Sequence, residues 1–339
     1  MNALPSRRVE DWKYSDLRNA VDAEVVASAP TAAWAIASSS GAVDIADLPT
    51  IMPRGEHGAM AEIAIASAKA GPSLRLAKNE TGAAHLHLTE GGHGRALIVV
   101  EDGASLALQE TVLTGDFTNV AVEFIVGRNA RLTHVRHAPR NDAVQVIDYS
   151  VRVADGGVYR AHFANFGGKL SRTELHIALE GEGAETHLSG VGPLNDCHAD
   201  MTTHVNHASG KTLSTQLFKY MAGGQARGVY QGKVTVATGA NGSDSRQTAK
   251  GLLLGNRAEI DLKPELEILA DDVKCAHGAA VGDLDAESLF YLRSRGIPEA
   301  EARALLMRAF IGDAVEQIED DAIRASIWQA VDEALEGLS

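Results

Sequence analysis

The sequence predicts a mainly β chain, a parallel β-helix whose coils stack into a solenoid, flanked by N-terminal and C-terminal helical regions. Three observations carry this. From about Ala83 to Leu269, short β-rich runs such as Arg95 to Val100, Ala121 to Val126 and Lys233 to Ala237 alternate with small turns. The turns recur at Gly103-Ala104, Asn129-Ala130, Gly156-Gly157, Gly183-Ala184 and Gly210-Lys211, at intervals of 26, 27, 27 and 27 residues. A fixed period is the signature of stacked coils, because no coil buries its apolar face alone. Aromatic residues make up only 5% of the chain while glycine numbers 33, which favours tight turns and small stacked side chains over a large aromatic core. A β-sandwich with regular hairpins is the alternative for the same turns.

In chain order, residues 1–75 read as an N-terminal helical region, 76–274 as the β-helix core and 275–339 as a C-terminal helical domain. The start, Leu4 to Leu17, mixes charge with Trp12 and Tyr14 and reads as a docking arm, and the Ala/Ser-rich stretch Ala27 to Gly41 reads as a linker. Ala59 to Lys69 has high helix propensity, and the core begins near Gly71-Pro72. In the tail, Asp285 is placed to cap a helix containing Leu289, Phe290 and Leu292, Gly296 to stop it, and Pro298 to open the next. Leu305, Leu306, Ala309 and Phe310 form one apolar stripe, and Ile323, Ile327, Val331, Ala334 and Leu338 a second, each expected to pack within the chain.

With 339 residues, 45% hydrophobic and 22% charged, the chain has the composition of a globular protein rather than a disordered one. Its net charge of −14 disfavours nucleic-acid phosphates and anionic membrane surfaces as partners. No apolar run approaches a membrane span of about 18 residues, and Met1 to Trp12 is charged where an export signal is apolar. A cytoplasmic location is expected. Two cysteines, Cys197 and Cys275, make no disulfide framework and are expected as thiols.

The usual catalytic motifs fail at identifiable positions. Gly210-Lys211-Thr212 resembles the end of a phosphate loop, but Val205 stands where that loop needs glycine, and Thr186 replaces the third glycine after Gly181 and Gly183. Neither a nucleophile elbow nor a zinc-protease helix motif occurs. Of thirteen histidines, His198, His204 and His207 cluster beside Cys197 with spacing too loose for one metal site, and His85 with His87 makes only a pair. Cys275 and His277 differ in kind. On an extended backbone the thiol and imidazole share a face while Lys274 and Ala276 point away, with Lys274 expected to lower the thiol pKa if it lies nearby, and the pair suits iron or an iron-sulfur species. Two donors fall short of the four that such centres usually take, so further donors are expected from another chain.

Three separated stretches resemble the SufB/SufD family of iron-sulfur cluster assembly proteins. They are Arg7-Arg8-Val9-Glu10-Asp11-Trp12-Lys13-Tyr14-Ser15-Asp16-Leu17, the segment from Lys263 to Ala279 containing Asp271-Asp272-Val273-Lys274-Cys275-Ala276-His277-Gly278, and Leu289-Phe290-Tyr291-Leu292-Arg293-Ser294-Arg295-Gly296-Ile297. The resemblance implies a right-handed parallel β-helix, a heterodimer with SufB through the β-helices, and binding of the ATPase SufC through the C-terminal helices, where Phe290, Tyr291, Arg293, Arg295 and Phe310 are the expected contacts. It further implies that His277, and with it Cys275, contributes to a cluster assembly interface. No cofactor is expected to stay bound to the isolated chain, only iron or a nascent cluster in transit within the complex. SufB members carry a functional cysteine shortly before an L-L-x-G motif; aligned on Leu252-Leu253-Leu254-Gly255 this chain has Ala249 there, which favours the SufD branch. The expectation is a scaffold subunit without turnover, capable of a homodimer in isolation. A polysaccharide-processing β-helix enzyme and a metal-storage or regulatory protein are the alternatives.

Overall fold

A computed structural model describes residues 4–40, 43–47, 58–68, 71–112 and 115–338. Sixteen strands, from β3 (Pro72–Leu76) to β18 (Lys274–Asp283), wind two per coil into eight coils, with odd-numbered strands in one sheet and even-numbered strands in the other. The odd sheet passes through β9 (Val144–Val153), β11 (Leu170–Leu179), β13 (His198–His207) and β15 (Arg227–Val236) to β17 (Glu259–Ile268). The even sheet runs from β4 (Thr81–Glu90) through β12 (Glu185–Asn195), β14 (Leu213–Gly223) and β16 (Asp244–Leu253) to β18. Neighbouring coils pair in parallel, so the chain is a β-solenoid and not a sandwich of hairpins.

Period-two alternation sends every second side chain inward, and the parallel register stacks equivalent residues of successive coils. One ladder runs Leu74, Ile98, Phe124, Val151, Ile177, Val205, Val234 and Leu266. The first seven are buried, and Leu266 is half-exposed because no coil follows it. Each full burial contributes about 1.5–3 kcal/mol, so the repeat itself supplies the core. The corners that carry the period hold left-handed residues, with φ of 71° at Gly103, 53° at Asn129, 61° at Gly156 and 70° at Gly183. At the fifth corner the left-handed residue is Lys211 (φ 57°) rather than Gly210.

The first end of the solenoid is closed. Ala33–Ser40, expected within a linker, is strand β1, antiparallel to β4, with Trp34 and Ile36 laid against the core. Strand β2 (Val43–Asp47) pairs antiparallel with β3. The expected arm binds its own chain. Helices α1 (Leu17–Ala20), α2 (Ala23–Ser28) and α3 (Ala59–Ser67), with Leu4 and Trp12, cover the outward side of the odd sheet around Phe117, Val144, Val146 and Leu170. Lys69, expected in the third helix, lies outside the described residues.

At the other end, helices begin at α4 (Ala286–Ser294), eleven residues beyond the expected boundary at 275, because the Cys275 segment continues the coil period and pairs with β16 over ten residues as β18. Asp285 caps α4, accepting from Ser288 N at 3.0 Å, and Gly296 turns the chain at φ 87°. Helices α5 (Glu299–Val315) and α6 (Asp321–Glu336) fold back over the outward side of β12 and β14. The second stripe packs as expected through Ile327, Val331 and Leu338, joined by Leu335. The first does not. Helix α5 is apolar around much of its circumference, and the sheet selects Ala302, Met307, Ile311, Ala314 and Val315, leaving Leu305 46% exposed.

Candidate assembly site at the open end of the solenoid

Cys275 and His277 stand on β18 in register with the buried, inward-facing Ser245 and Gln247 of β16, and Ala279 stands over the fully buried Ala249. The three therefore line the interior edge of the last coil, at the rim of an end that no further coil covers. His277 is exposed and Cys275 half-buried beside Val273, Ala270 and Leu266. Burial raises the Cys275 thiol above its ordinary pKa, and the Asp244 carboxylate adds to the rise. Lys274, expected to lower it, points to the other face and plays no part. The thiol is thus protonated near neutrality, and an incoming metal must displace the proton.

Below this rim the interior is polar. Gln247 Nε2 donates to Tyr230 Oη at 2.9 Å, Tyr230 Oη to Gln216 Oε1 at 3.1 Å, and Thr203 Oγ1 to the same oxygen at 2.8 Å. Gly232 makes room for this network, since a Cβ there would lie 1.9 Å from Gln247 Nε2. Among the described residues no third cysteine, histidine or carboxylate joins Cys275 and His277. The three-donor group that does form, Asp148 with Glu174 and His176, lies on the outward side of the odd sheet. Its members were not singled out from the sequence, although Asp148 and Glu174 sit one coil period apart and His176 follows by two. That spacing is the signal that finds them.

The histidines near Cys197 have structural partners. Cys197 Sγ donates to Phe166 O at 3.5 Å and burial raises its pKa. His198 Nε2 lies 3.2 Å from Ser15 Oγ, His204 stacks on His176, and His207 bonds Thr212 and Ser214 at 2.7 and 2.9 Å. Of the residues expected to bind a helix-docking partner, four share the exposed α4 and its end. Phe290 is 74% and Tyr291 56% exposed, Arg293 pairs with Glu299 at 3.2 Å, and the Arg295 guanidinium sits 5.1 Å from the Tyr291 ring centre. Phe310 does not join them. It packs on the sheet side of α5, where Lys219 Nζ donates to its carbonyl at 2.5 Å and lies 5.0 Å over its ring.

No helix among the described residues is long and apolar enough to cross a membrane. The family model described as "SUF system FeS cluster assembly, SufBD core domain" matches residues 81–310, more than half the chain. The chain is 33% identical over 255 residues to an iron-sulfur cluster assembly SufBD family protein of Synechocystis sp. (strain ATCC 27184 / PCC 6803 / Kazusa), covering 70% of this chain and 55% of that protein. It is 31% identical over 266 residues to iron-sulfur cluster assembly protein SufD of Escherichia coli (strain K12), covering 74% and 63%. The chloroplastic protein ABCI7 of Arabidopsis thaliana is 31% identical over 259 residues, covering 74% and 54%. The chain thus spans less than two thirds of the length of these relatives. With the matched segment enclosing nearly all of the coils and the Cys275–His277 rim, this chain belongs to the SufBD core family of iron-sulfur cluster assembly proteins of the SUF system.

Proposed function

We propose that the chain is a non-catalytic scaffold subunit of a SufBCD-type complex, forming one side of a cluster assembly interface with SufB and binding SufC through α4. The observation that carries this reading is the open end of the solenoid. There a thiol and an imidazole stand two residues apart on a rim of half-exposed apolar residues, too few to hold a cluster alone, and among the described residues no third donor groups with them. A second chain stacked on β17 and β18 completes both the coil packing and the donor set. His277, exposed on the rim, is the donor offered to iron, and Cys275 is the secondary one. Iron and sulfide are cargo in this scheme. A polysaccharide-processing solenoid needs a long open outward face, whereas here the chain's own arm and helices cover part of each face.

The test is co-purification of the chain with its host's SufB and SufC, followed by anaerobic iron and sulfide analysis. His277→Ala is expected to leave folding and complex formation intact and to remove most of the bound cluster. Undiminished iron and sulfide in an intact complex would overturn the site assignment.

A further inference from the structure

On the outward side of the odd sheet, beneath the N-terminal segment, Asp148, Glu174 and His176 hold three donor atoms within 4.8 Å of one another. We infer that they form a site for one divalent first-row transition-metal cation, bound by two carboxylates and an imidazole. The inference does not rest on the scaffold reading. It departs from the expectation that the isolated chain keeps no metal.

The placement follows from the coil. Asp148 and Glu174 are register partners on β9 and β11, and His176 lies two residues beyond Glu174, so all three project from one face. Their side chains are 2%, 5% and 12% exposed. His176 Nε2 faces both carboxylates, 3.4 Å from Asp148 Oδ2 and 3.7 Å from Glu174 Oε2; burial opposes its charge, but the two carboxylates outweigh it and raise its pKa to about 10, so a bound cation displaces the imidazole proton. Donors about 2.1 Å from a shared cation stand about 3.0–3.4 Å apart in octahedral or tetrahedral arrangements. The Asp148 contact lies at the edge of this range and the Glu174 contact just beyond it, so a small side-chain shift brings the donors onto one cation.

Outer partners hold both carboxylates, as in metal sites generally. Arg172 Nε donates to Glu174 Oε1 at 2.6 Å, which leaves Oε2 turned to the histidine. Arg172 is itself fixed by Asp200 at 2.5 Å and by the Trp12 ring at 4.2 Å. Gly58 N, before the first turn of α3, donates to Asp148 Oδ2 at 2.9 Å. The His204 ring lies parallel to His176 at 4.8 Å. Position 58 admits no side chain, because a Cβ there would stand 1.9 Å from Glu174 Oε2. An O₂N donor set favours Mn²⁺, Fe²⁺ or Zn²⁺ over soft Cu⁺, and its imidazole over all-oxygen Ca²⁺ sites. Three strand spacings, about 14 Å, separate β11 from β17 along the stack, so the site is distinct from Cys275 and His277.

The test uses the full chain, freed of metal by chelation and titrated with Mn²⁺ under electron paramagnetic resonance. One Mn²⁺ per chain is expected, displaced by Zn²⁺, with pulsed spectra showing coupling to a single imidazole nitrogen. Asp148→Asn and Glu174→Gln should each weaken binding by more than about 100-fold, beyond the 10–100-fold that outer partners carry. A Cys275→Ser/His277→Ala chain should bind as the parent does. The inference fails if the parent chain binds neither Mn²⁺ nor Zn²⁺ at micromolar concentration, or if the bound ion shows no nitrogen coupling. It fails equally if binding survives Asp148→Asn but is lost in the Cys275→Ser/His277→Ala chain. The nitrogen coupling is read on the parent chain, so it decides even if a substituted chain does not fold.

Discussion

His162 shows how the solenoid sets the chemistry of single residues. It is 3% exposed under the C-terminal helices, with Nδ1 2.8 Å from Ser189 Oγ, and burial pushes its pKa down from 6.5 to about 3. The native ring stays neutral while the unfolded chain gains a proton below about pH 6.5. The unfolded state then binds more protons, so stability falls as pH drops from 6.5 towards 3 and is unaffected by this group above that window. Burial lowers His207 to about 4, which acts in the same direction. Between pH 7 and pH 5 the His162 contribution alone is on the order of 2 kcal/mol. Urea unfolding at the two pH values should show that loss in the parent chain and a smaller one in His162→Gln; equal losses would mean that the native ring takes up a proton. At this scale the sequence was only partly legible. Cys275 and His277 could be found because i and i+2 share a strand face whatever the fold. That burial and Asp244, one coil away, raise the thiol's pKa was not legible there. Asp148 and Glu174 lie 26 residues apart in the chain and became neighbours only through the register.

Among the elements, the corners decide what the repeat tolerates, and two glycines in one corner differ in cause. Gly183 has φ 70° and open space around a would-be Cβ, whereas a Cβ on Gly181 would stand 1.9 Å from Asp155 N in the preceding coil. Gly183→Ala should cost about 1 kcal/mol, the backbone preference alone, as the tolerated left-handed Lys211 suggests. Gly181→Ala forces backbone against backbone and should cost about 3 kcal/mol or more. Urea midpoints compare the two, and equal losses would refute the distinction. The corners were readable from sequence because their φ values demand glycine or asparagine at a fixed interval. Strand β1 was not, because Ala and Ser at six of its eight positions mask the alternation that Trp34 and Ile36 carry. The buried face of α5 was not, because an apolar residue lies on nearly every side and only the sheet chooses among them. The Cys275 segment fell past the expected core because Gly and Ala at five of the ten positions of β18 hide its strand alternation.

For the molecule as a whole, the two ends of the solenoid are unlike, and that asymmetry should appear as a gradient of stability. At the first end β1 and β2 pair antiparallel with β4 and β3 and shield the opening coil. At the last, β17 and β18 each have a partner on one side only, and their inward residues are half-exposed or exposed. In a solenoid each coil is stabilised by its neighbours, so a coil with one neighbour opens at lower free energy than those with two. The edge is also guarded against promiscuous pairing. Pro264 sits within β17, a position proline occupies on edge strands, and Lys263, Glu265, Glu267, Asp271 and Asp272 surround it with charge. Such an edge discourages random strand addition while leaving Ile268, Leu269 and Val281 at 43%, 57% and 42% exposure for a matched surface. Hydrogen exchange of the isolated chain should therefore show amides of β17 and β18 exchanging well before those of β9 to β14. Addition of SufB should slow β17 and β18 selectively and leave the α4 amides unchanged until SufC is present. If the last coil is already as protected as the centre in a monomeric chain, the open end is not the docking surface. If SufB slows the exposed outer helices and not the last coil, the two partners have been assigned to the wrong surfaces.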